Sequence, residues 1–316
     1  MKDLSLLFLG ASKRVSLLER FLDAAARMGV VLHLYSCELD AGFHPISHLA
    51  CVLQGPPFLA PEFIPWLEDV AIRYGINLMI PTMDAATVVL SRYAAGRLRT
   101  DSCWPVVSDP SICEAMYDKL SARELFVRAA LPVPPDTPGR YPKIAKPRFG
   151  YGARGIKIMA APADRQALEA GSESAQYVIE DFLSEVRETT VDFYVSPRQG
   201  FIGYVLRDRL EVSDGEVMVC KTRRPEANEI QLIEQVASLA GWTGCVTLQY
   251  LTDLEHRLYV LEINPRFGGG CTCAIEAGLD MPYYLMTEAM GIDFEPPARL
   301  KNLLMTRARR DFFYER

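Results

Sequence analysis

The chain has 316 residues, 49% of them hydrophobic and 23% charged, with a formal net charge of -6. That length suits about two domains and buries a core that needs no disulfide or metal staple. The acidic balance argues against nonspecific attraction to nucleic-acid phosphates, while leaving room for a small anion in a locally basic cleft.

Leu4–Leu9 is an apolar run ending at Gly10-Ala11-Ser12, and it predicts a buried strand. Six residues are too few for a signal-peptide core or a membrane span. Arg14–Met28 places Val15, Leu18, Phe21, Leu22 and Ala25 on one face, the period of a helix. Val30–Ser36 predicts a second strand, Trp66–Tyr74 a helix and Asn77–Pro81 a third strand. This alternation implies a parallel sheet covered by helices, an α/β doubly wound unit over residues 1–110. Past Pro110, Ser111–Ala130 predicts one helix, stopped by Pro132, Pro134, Pro135 and Pro138. Lys143–Lys146 and Gly155–Met159 predict strands around a glycine-rich turn, Asp164–Ala170 a helix and Tyr177–Phe182 a strand. Thr189–Val195 and Phe201–Asp208 predict an antiparallel pair, Glu229–Ala240 a helix, and Cys245–Thr252 with Arg257–Asn264 a hairpin. This second unit, residues 111–316, reads as α+β.

The eight cysteines contain no Cys-x-x-Cys, and with only four histidines they argue against a zinc cluster. They read as reduced thiols in a cytoplasmic protein.

The most specific motif is Glu262-Ile-Asn264-Pro-Arg266 at the end of an apolar strand. Residues i and i+2 share a strand face, so Glu262 and Asn264 project together. A carboxylate and an amide oxygen suit magnesium, and an adjacent guanidinium suits a transferring phosphoryl group. Taken alone, the same run also reads as a polar turn with a flexible glycine loop. If the last two strands pair, Gln249 faces Glu262 and supplies a further metal-side oxygen.

Lys146 ends a strand before Gly150, Tyr151 and Gly152, whose backbone N–H groups suit phosphate oxygens. Strands flank this loop on both sides, so it is neither a Walker A loop nor a Rossmann fingerprint. Glu180-Asp181-Phe182-Leu183 brings an apolar strand into an acidic pair suited to an adenine edge, and Glu188 suits ribose hydroxyls. Lys119 on a helix and the basic run at Lys221 and Arg223 complete the set. Each of these, alone, also reads as an ordinary solvated residue. Gly10-Ala11-Ser12 opens a helix whose free N–H groups favour an anion, with Arg14 in its first turn; simple capping by Ser12 is the equal alternative. Pro81-Thr82-Met83-Asp84 borders the same cleft.

In this order, Asp118-Lys119, Lys146-Pro147 with its glycine loop, the Glu180–Leu183 hinge, Gln249 and Glu262–Arg266 resemble the ATP-grasp superfamily. They look most like the large subunit of carbamoyl phosphate synthase and its short, single-module relatives. The resemblance covers most of the chain, to about Gly291. It implies a Rossmann-like pre-ATP-grasp domain over 1–110 and an ATP-grasp fold over 111–316. The lid subdomain would span about 120–182 and the carboxy-terminal subdomain about 183–316. It implies that Lys119 and Lys146 contact ATP phosphates and that Gly150, Tyr151 and Gly152 belong to the lid. Glu180 and the backbone at Asp181, Phe182 and Leu183 would read adenine, and Glu188 would bind ribose. Gln249, Glu262 and Asn264 would hold magnesium or manganese, and Arg266 would be catalytic. Ser12, Arg14, Lys221 and Arg223 are candidates for the substrate.

Arg148 and Arg154 stand where many relatives carry small or neutral residues, implying an unusually anionic ligand or merely lid charge. A single module argues against full carbamoyl phosphate synthesis. The expected activity is a carboxylate–amine ligase, with a noncatalytic ATP-binding sensor as the alternative. Small-molecule acid and amine partners are expected, with neither nucleic acid nor membrane. A dinucleotide-dependent oxidoreductase ranks well below, because Gly10-Ala11-Ser12 lacks G-x-G-x-x-G. The tail Leu303–Arg316 either packs on the body or forms a homodimer contact.

Overall fold

The computed structural model describes residues 3–96, 103–150, 152, 154–171, 176–297 and 299–314. A parallel sheet holds β1 (Asp3–Leu9), β2 (Val31–Glu38), β3 (Cys51–Gln54), β4 (Leu78–Pro81) and β5 (Trp104–Pro105), in the order β3-β2-β1-β4-β5. The connecting helices are α1 (Val15–Met28), α2 (Phe63–Arg73) and α3 (Asp84–Ala95). Successive strand side chains point to opposite faces. Leu4, Leu6 and Phe8 pack with Leu17, Leu18 and Phe21 of α1. Leu7 and Leu9 pack with Phe63 and Leu67 of α2 and Leu90 of α3. The all-apolar reading of β1 thus has its cause: both faces are covered.

Beyond β5 come α4 (Pro110–Tyr117) and α5 (Lys119–Arg128), where one continuous helix was expected. The break is at Asp118, which has extended dihedrals of φ -105 and ψ 113. Its carboxylate accepts from the Leu120 N–H at 3.0 Å and the Ser121 hydroxyl at 3.0 Å. A short polar side chain that bonds its own downstream backbone ends one helix and caps the next. A second sheet then holds β6 (Lys143–Pro147), β7 (Lys157–Met159) and β8 (Tyr177–Asp181), antiparallel in the order β7-β6-β8, with α6 (Pro162–Ala170) alongside.

The third sheet is antiparallel. It contains β9 (Arg187–Ser196), β10 (Gly200–Ser213), β11 (Glu216–Arg223), β12 (Gly244–Thr252), β13 (Leu258–Asn264) and β14 (Leu304–Thr306), in the order β13-β12-β9-β10-β11-β14. Helix α7 (Ala227–Ala237) covers one face, with Leu232, Ile233 and Val236 against Val191, Phe193, Leu248 and Ile263. Helices α8 (Cys271–Glu276) and α9 (Met281–Ala289) join this sheet to α1 in one continuous apolar cluster. That cluster fixes the parallel-sheet unit against the rest. The tail packs on the body: β14 pairs with β11, Arg310 meets Glu19, and the Tyr314 hydroxyl donates to the His44 carbonyl. Among the described residues no helix is long and apolar enough to cross a membrane.

Candidate functional site

In a sheet of order β3-β2-β1-β4-β5, the chain departs in opposite directions from β1 and β4. Their carboxyl ends therefore flank a crevice, the usual ligand position in such sheets. Arg14 follows β1 and Asp84 follows β4. Gly10 takes φ +85, and the Arg14 N–H donates to the Ala11 carbonyl at 2.7 Å. This turn uses residues 10–14, so α1 begins only at Val15. Arg14, not Ser12, holds its N-cap position, and no side chain caps it. The expected helix opening at Gly10-Ala11-Ser12, with Ser12 as cap, is corrected accordingly.

Strands β12 and β13 pair with Gln249 opposite Glu262 and Thr247 opposite Asn264. A line of polar contacts runs along this edge. Arg209 Nη1 donates to Glu188 Oε1 at 2.7 Å and to Gln249 Oε1 at 3.2 Å. Asn264 Nδ2 donates to Glu262 Oε1 at 3.0 Å, and Arg266 Nη2 to Asn264 Oδ1 at 3.3 Å. Arg266 then binds Asp84 with both arms, Nε to Oδ1 at 2.6 Å and Nη2 to Oδ2 at 3.0 Å. Burial pushes the Asp84 carboxyl up, but Arg266, with Lys119 and Arg14 beyond, holds it below the usual carboxylate range. Burial raises Glu188; Arg209 opposes the shift and Glu262 reinforces it.

Glu262, Asn264 and Gln249 offer only oxygens as metal donors, one carboxylate and two amides, which fits a hard cation. Among the described residues no group of three or more His, Cys, Asp or Glu side chains is arranged to hold a metal. So weakly charged a set suits magnesium shared with phosphate oxygens rather than a closed protein cage.

Across from this edge, Lys146 Nζ binds Glu180 Oε2 at 2.6 Å, and Arg123 Nη1 approaches Glu180 Oε1 at 3.3 Å. Lys119, Arg123, Lys146 and Glu180 line a small cavity with Val260 and Leu261 of β13. Its volume is about 10 Å³, room for roughly one water. The Lys146–Glu180 pair occupies this part of the cleft. The Lys119 ammonium donates to the Gly150 carbonyl at 2.9 Å, tying the glycine loop to α5. Gly152 lies against Gly215 in the β10–β11 turn, and Tyr151 lies outside the described residues.

A family model described as ATP-grasp in the biosynthetic pathway with Ter operon matches residues 173–309. Pyruvate carboxylase of Komagataella pastoris is 26% identical over 284 residues, 80% of this chain and 24% of the relative. That of Aspergillus niger is 26% identical over 273 residues, 76% of this chain and 23% of the relative. The chain spans about a quarter of the length of these curated relatives. The biotin carboxylase domain of Hydrogenobacter thermophilus 2-oxoglutarate carboxylase, solved with MgADP, ADP and bicarbonate, superimposes with a TM-score of 0.74. It is 15% identical and the match covers 96% of this chain and 74% of that one. The Staphylococcus aureus N5-carboxyaminoimidazole synthetase with ADP gives a TM-score of 0.75 at 17% identity, covering 98% and 83%. The chain has the ATP-grasp fold.

Several candidate side chains in this fold have other occupations. The Asp181 carboxylate is buried, binding Lys143 Nζ at 2.8 Å and accepting from the Thr137 hydroxyl at 2.7 Å, so it does not face the hinge. The Asp181 and Phe182 N–H groups donate to the Pro135 and Pro142 carbonyls, and Leu183 is half-buried beside them. Arg223 is engaged by two carboxylates, Asp208 at 2.9 Å and Glu229 at 2.6 Å. Lys221 is exposed on the same strand. Arg148, whose charge suggested an anionic ligand, binds the Asp118 carboxylate. Gly268 and Gly270 serve packing rather than flexibility. A Cβ at Gly268 would lie 2.6 Å from Thr247 Oγ1, and one at Gly270 2.6 Å from Arg207 Nη1. Sequence reasoning missed Arg209, because one arginine on a strand of mixed polarity carries no local signal.

Proposed function

We propose that this ATP-grasp chain is an ATP-dependent, ADP-forming ligase that activates a substrate carboxylate as an acyl phosphate for attack by an amine or other nucleophile. The observation that carries this reading is the row Glu262–Asn264–Arg266–Asp84, joined by side-chain hydrogen bonds, with Gln249 opposite Glu262 on the paired strand, next to a cleft lined by Lys119, Lys146 and Glu180. A nucleotide-binding module would need the second group but not the first.

ATP lies between the three-stranded sheet and β13. Glu180 and the backbone at Asp181, Phe182 and Leu183 hold the adenine, and Glu188 the ribose hydroxyls. Lys119 and Lys146 hold the phosphates, Lys146 after leaving Glu180. Gly150 and Gly152 close over them and exclude water. Glu262, Asn264 and Gln249 would hold magnesium, which would supply charge neutralisation during phosphoryl transfer. A carboxylate oxygen bonds the terminal phosphorus as the bond to ADP breaks. The nucleophile then displaces inorganic phosphate from the acyl carbon, an amine losing a proton. Arg266 stabilises the charge that spreads over the transferring oxygens, and Asp84 fixes its plane. Residues 1–110 form the substrate-side domain and 111–316 the nucleotide-binding body. The eight cysteines are all free thiols, which supports a cytoplasmic location.

The test is magnesium-dependent ADP release across pools of carboxylic acids, with hydroxylamine trapping acyl phosphate as a hydroxamate. Hydroxamate from one pool, lost in Arg266→Ala while ATP binding survives, supports the ligase. ATP binding with no turnover in any pool supports the noncatalytic module instead.

A further inference from the structure

Three successive carbonyls after Pro265 each accept from a different guanidinium. Arg266 Nη1 donates to the Phe267 carbonyl at 3.3 Å, Arg14 Nη1 to Gly268 at 3.0 Å, and Arg307 Nη2 to Gly269 at 2.6 Å. The arginines come from the turn after β1, the end of β13 and the segment after β14. Consecutive Cα atoms are only about 3.8 Å apart, so this loop gathers three like charges into a small volume. Each guanidinium has five N–H donors, and a carbonyl occupies one or two.

The compensating charge is unevenly shared. Asp84 binds Arg266. Glu216 reaches Arg307 at 3.5 Å, but its side chain is 67% exposed and solvent screens it. Among the described residues Arg14 has no carboxylate within hydrogen-bonding distance; its bond to Gly268 is its side-chain contact. Burial lowers the Arg14 guanidinium from its ordinary value, and Arg266 and Arg307 add to this against Cys271 and Glu216. Gathered cations of this kind weaken the folded chain unless an anion offsets them. Arg207, beneath the loop, does not share the deficit because Asp192 binds it at 2.9 Å. Access is open at Gly269, which is exposed, and a Cβ there would sit 3.8 Å from Arg14 Nη1.

We propose that Arg14 and Arg307 form a second anion subsite, holding a second negative group of the acid whose first carboxylate is activated beside Arg266. This rests on the ligase reading above. The preferred acid is therefore at least dianionic, its second group a carboxylate or a phosphate, and simple monocarboxylates are poor ligands.

The test uses the full chain with Mg2+ and a non-hydrolysable ATP analogue, titrated with sulfate or inorganic phosphate at constant ionic strength. The readout is the thermal midpoint. A bound anion at ten times its Kd raises it by about 2 °C. That rise should vanish in Arg14→Gln and in Arg307→Gln and survive in part in Arg14→Lys. Without anion, Arg14→Gln should melt no lower than the parent, because it removes repulsion; a lost response is then not misfolding. Glutarate, 3-phosphonopropanoate and butyrate follow: the two dianions should bind at least tenfold tighter than butyrate, and their ratio identifies the second group. An anion response unchanged in both glutamine variants, or none in the parent, overturns the subsite. The nucleotide's own stabilisation is read first. Its absence counts against the ligase reading, whereas its presence with an Arg14-independent anion response counts against the subsite alone.

Discussion

Replacing Asp84 with Asn tests the join between the parallel-sheet unit and the motif on β13. The pair it breaks is bidentate, and its side chains are 12% exposed at Arg266 and 24% at Asp84. Removing one partner of a fully buried pair costs about 3–5 kcal/mol, whereas an exposed pair contributes about 0–1 kcal/mol. The exposures lie nearer the buried limit, and the amide keeps one acceptor for Arg266, so a loss of about 2 kcal/mol is expected. For a chain of this size that lowers the midpoint by about 3 °C. Thermal unfolding of the parent, Asp84→Asn, Arg266→Gln and the double variant measures it. Each single variant strands a charge and the double does not, so a coupling of about 2 kcal/mol is expected. The sign with pH also follows. Asp84 is held below its ordinary value, so its contribution is present above the unfolded value and fades as pH falls through the folded one. A coupling below about 0.5 kcal/mol, or one independent of pH, would refute the argument that this pair fixes Arg266.

Three further outcomes are expected. Glu262→Gln should lower magnesium-dependent ADP release by about 100-fold or more in a coupled assay, with full activity removing Glu262 from the metal edge. Glu229→Gln should cost about 3 kcal/mol at neutral pH, because that fully buried carboxylate accepts from Arg223 and from the Tyr250 hydroxyl. Its carboxyl is held below its ordinary value by Arg223 against burial, so the gap between parent and variant should close in acid; a constant gap in denaturation at several pH values would contradict this. Gly270→Ala should cost about 1–3 kcal/mol by urea unfolding, because its Cβ would meet Arg207 at 2.6 Å, and a neutral result would mean that the loop yields.

Much of the fold was legible because its signals are local. The apolar run at β1, the helical period of α1 and the alternation along β12 and β13 each lie within one element. One misreading was local too. Asp118 interrupts an apolar period that alone reads as one helix, because a single side-chain bond to the backbone outweighs the pattern. The tail strand β14 is three residues long and exists through its pairing with β11, which no window around it displays.

The sequence by itself determined the row proposed to hold the metal. Glu262, Asn264 and Arg266 follow at spacings of two along one chain, and strand geometry alone puts the first two on one face. It also determined the order of motifs that resembles ATP-grasp proteins. Only the tertiary structure decided what surrounds that row. Asp84 meets Arg266 across 182 positions, and Arg14 meets Gly268 across 254. Such contacts arise where the ends of β1 and β4 open toward β13, a position set by strand order and by the apolar packing of α1 on α8 and α9. Periodicity reports which face a residue is on, but not which charge from a distant element will stand opposite it.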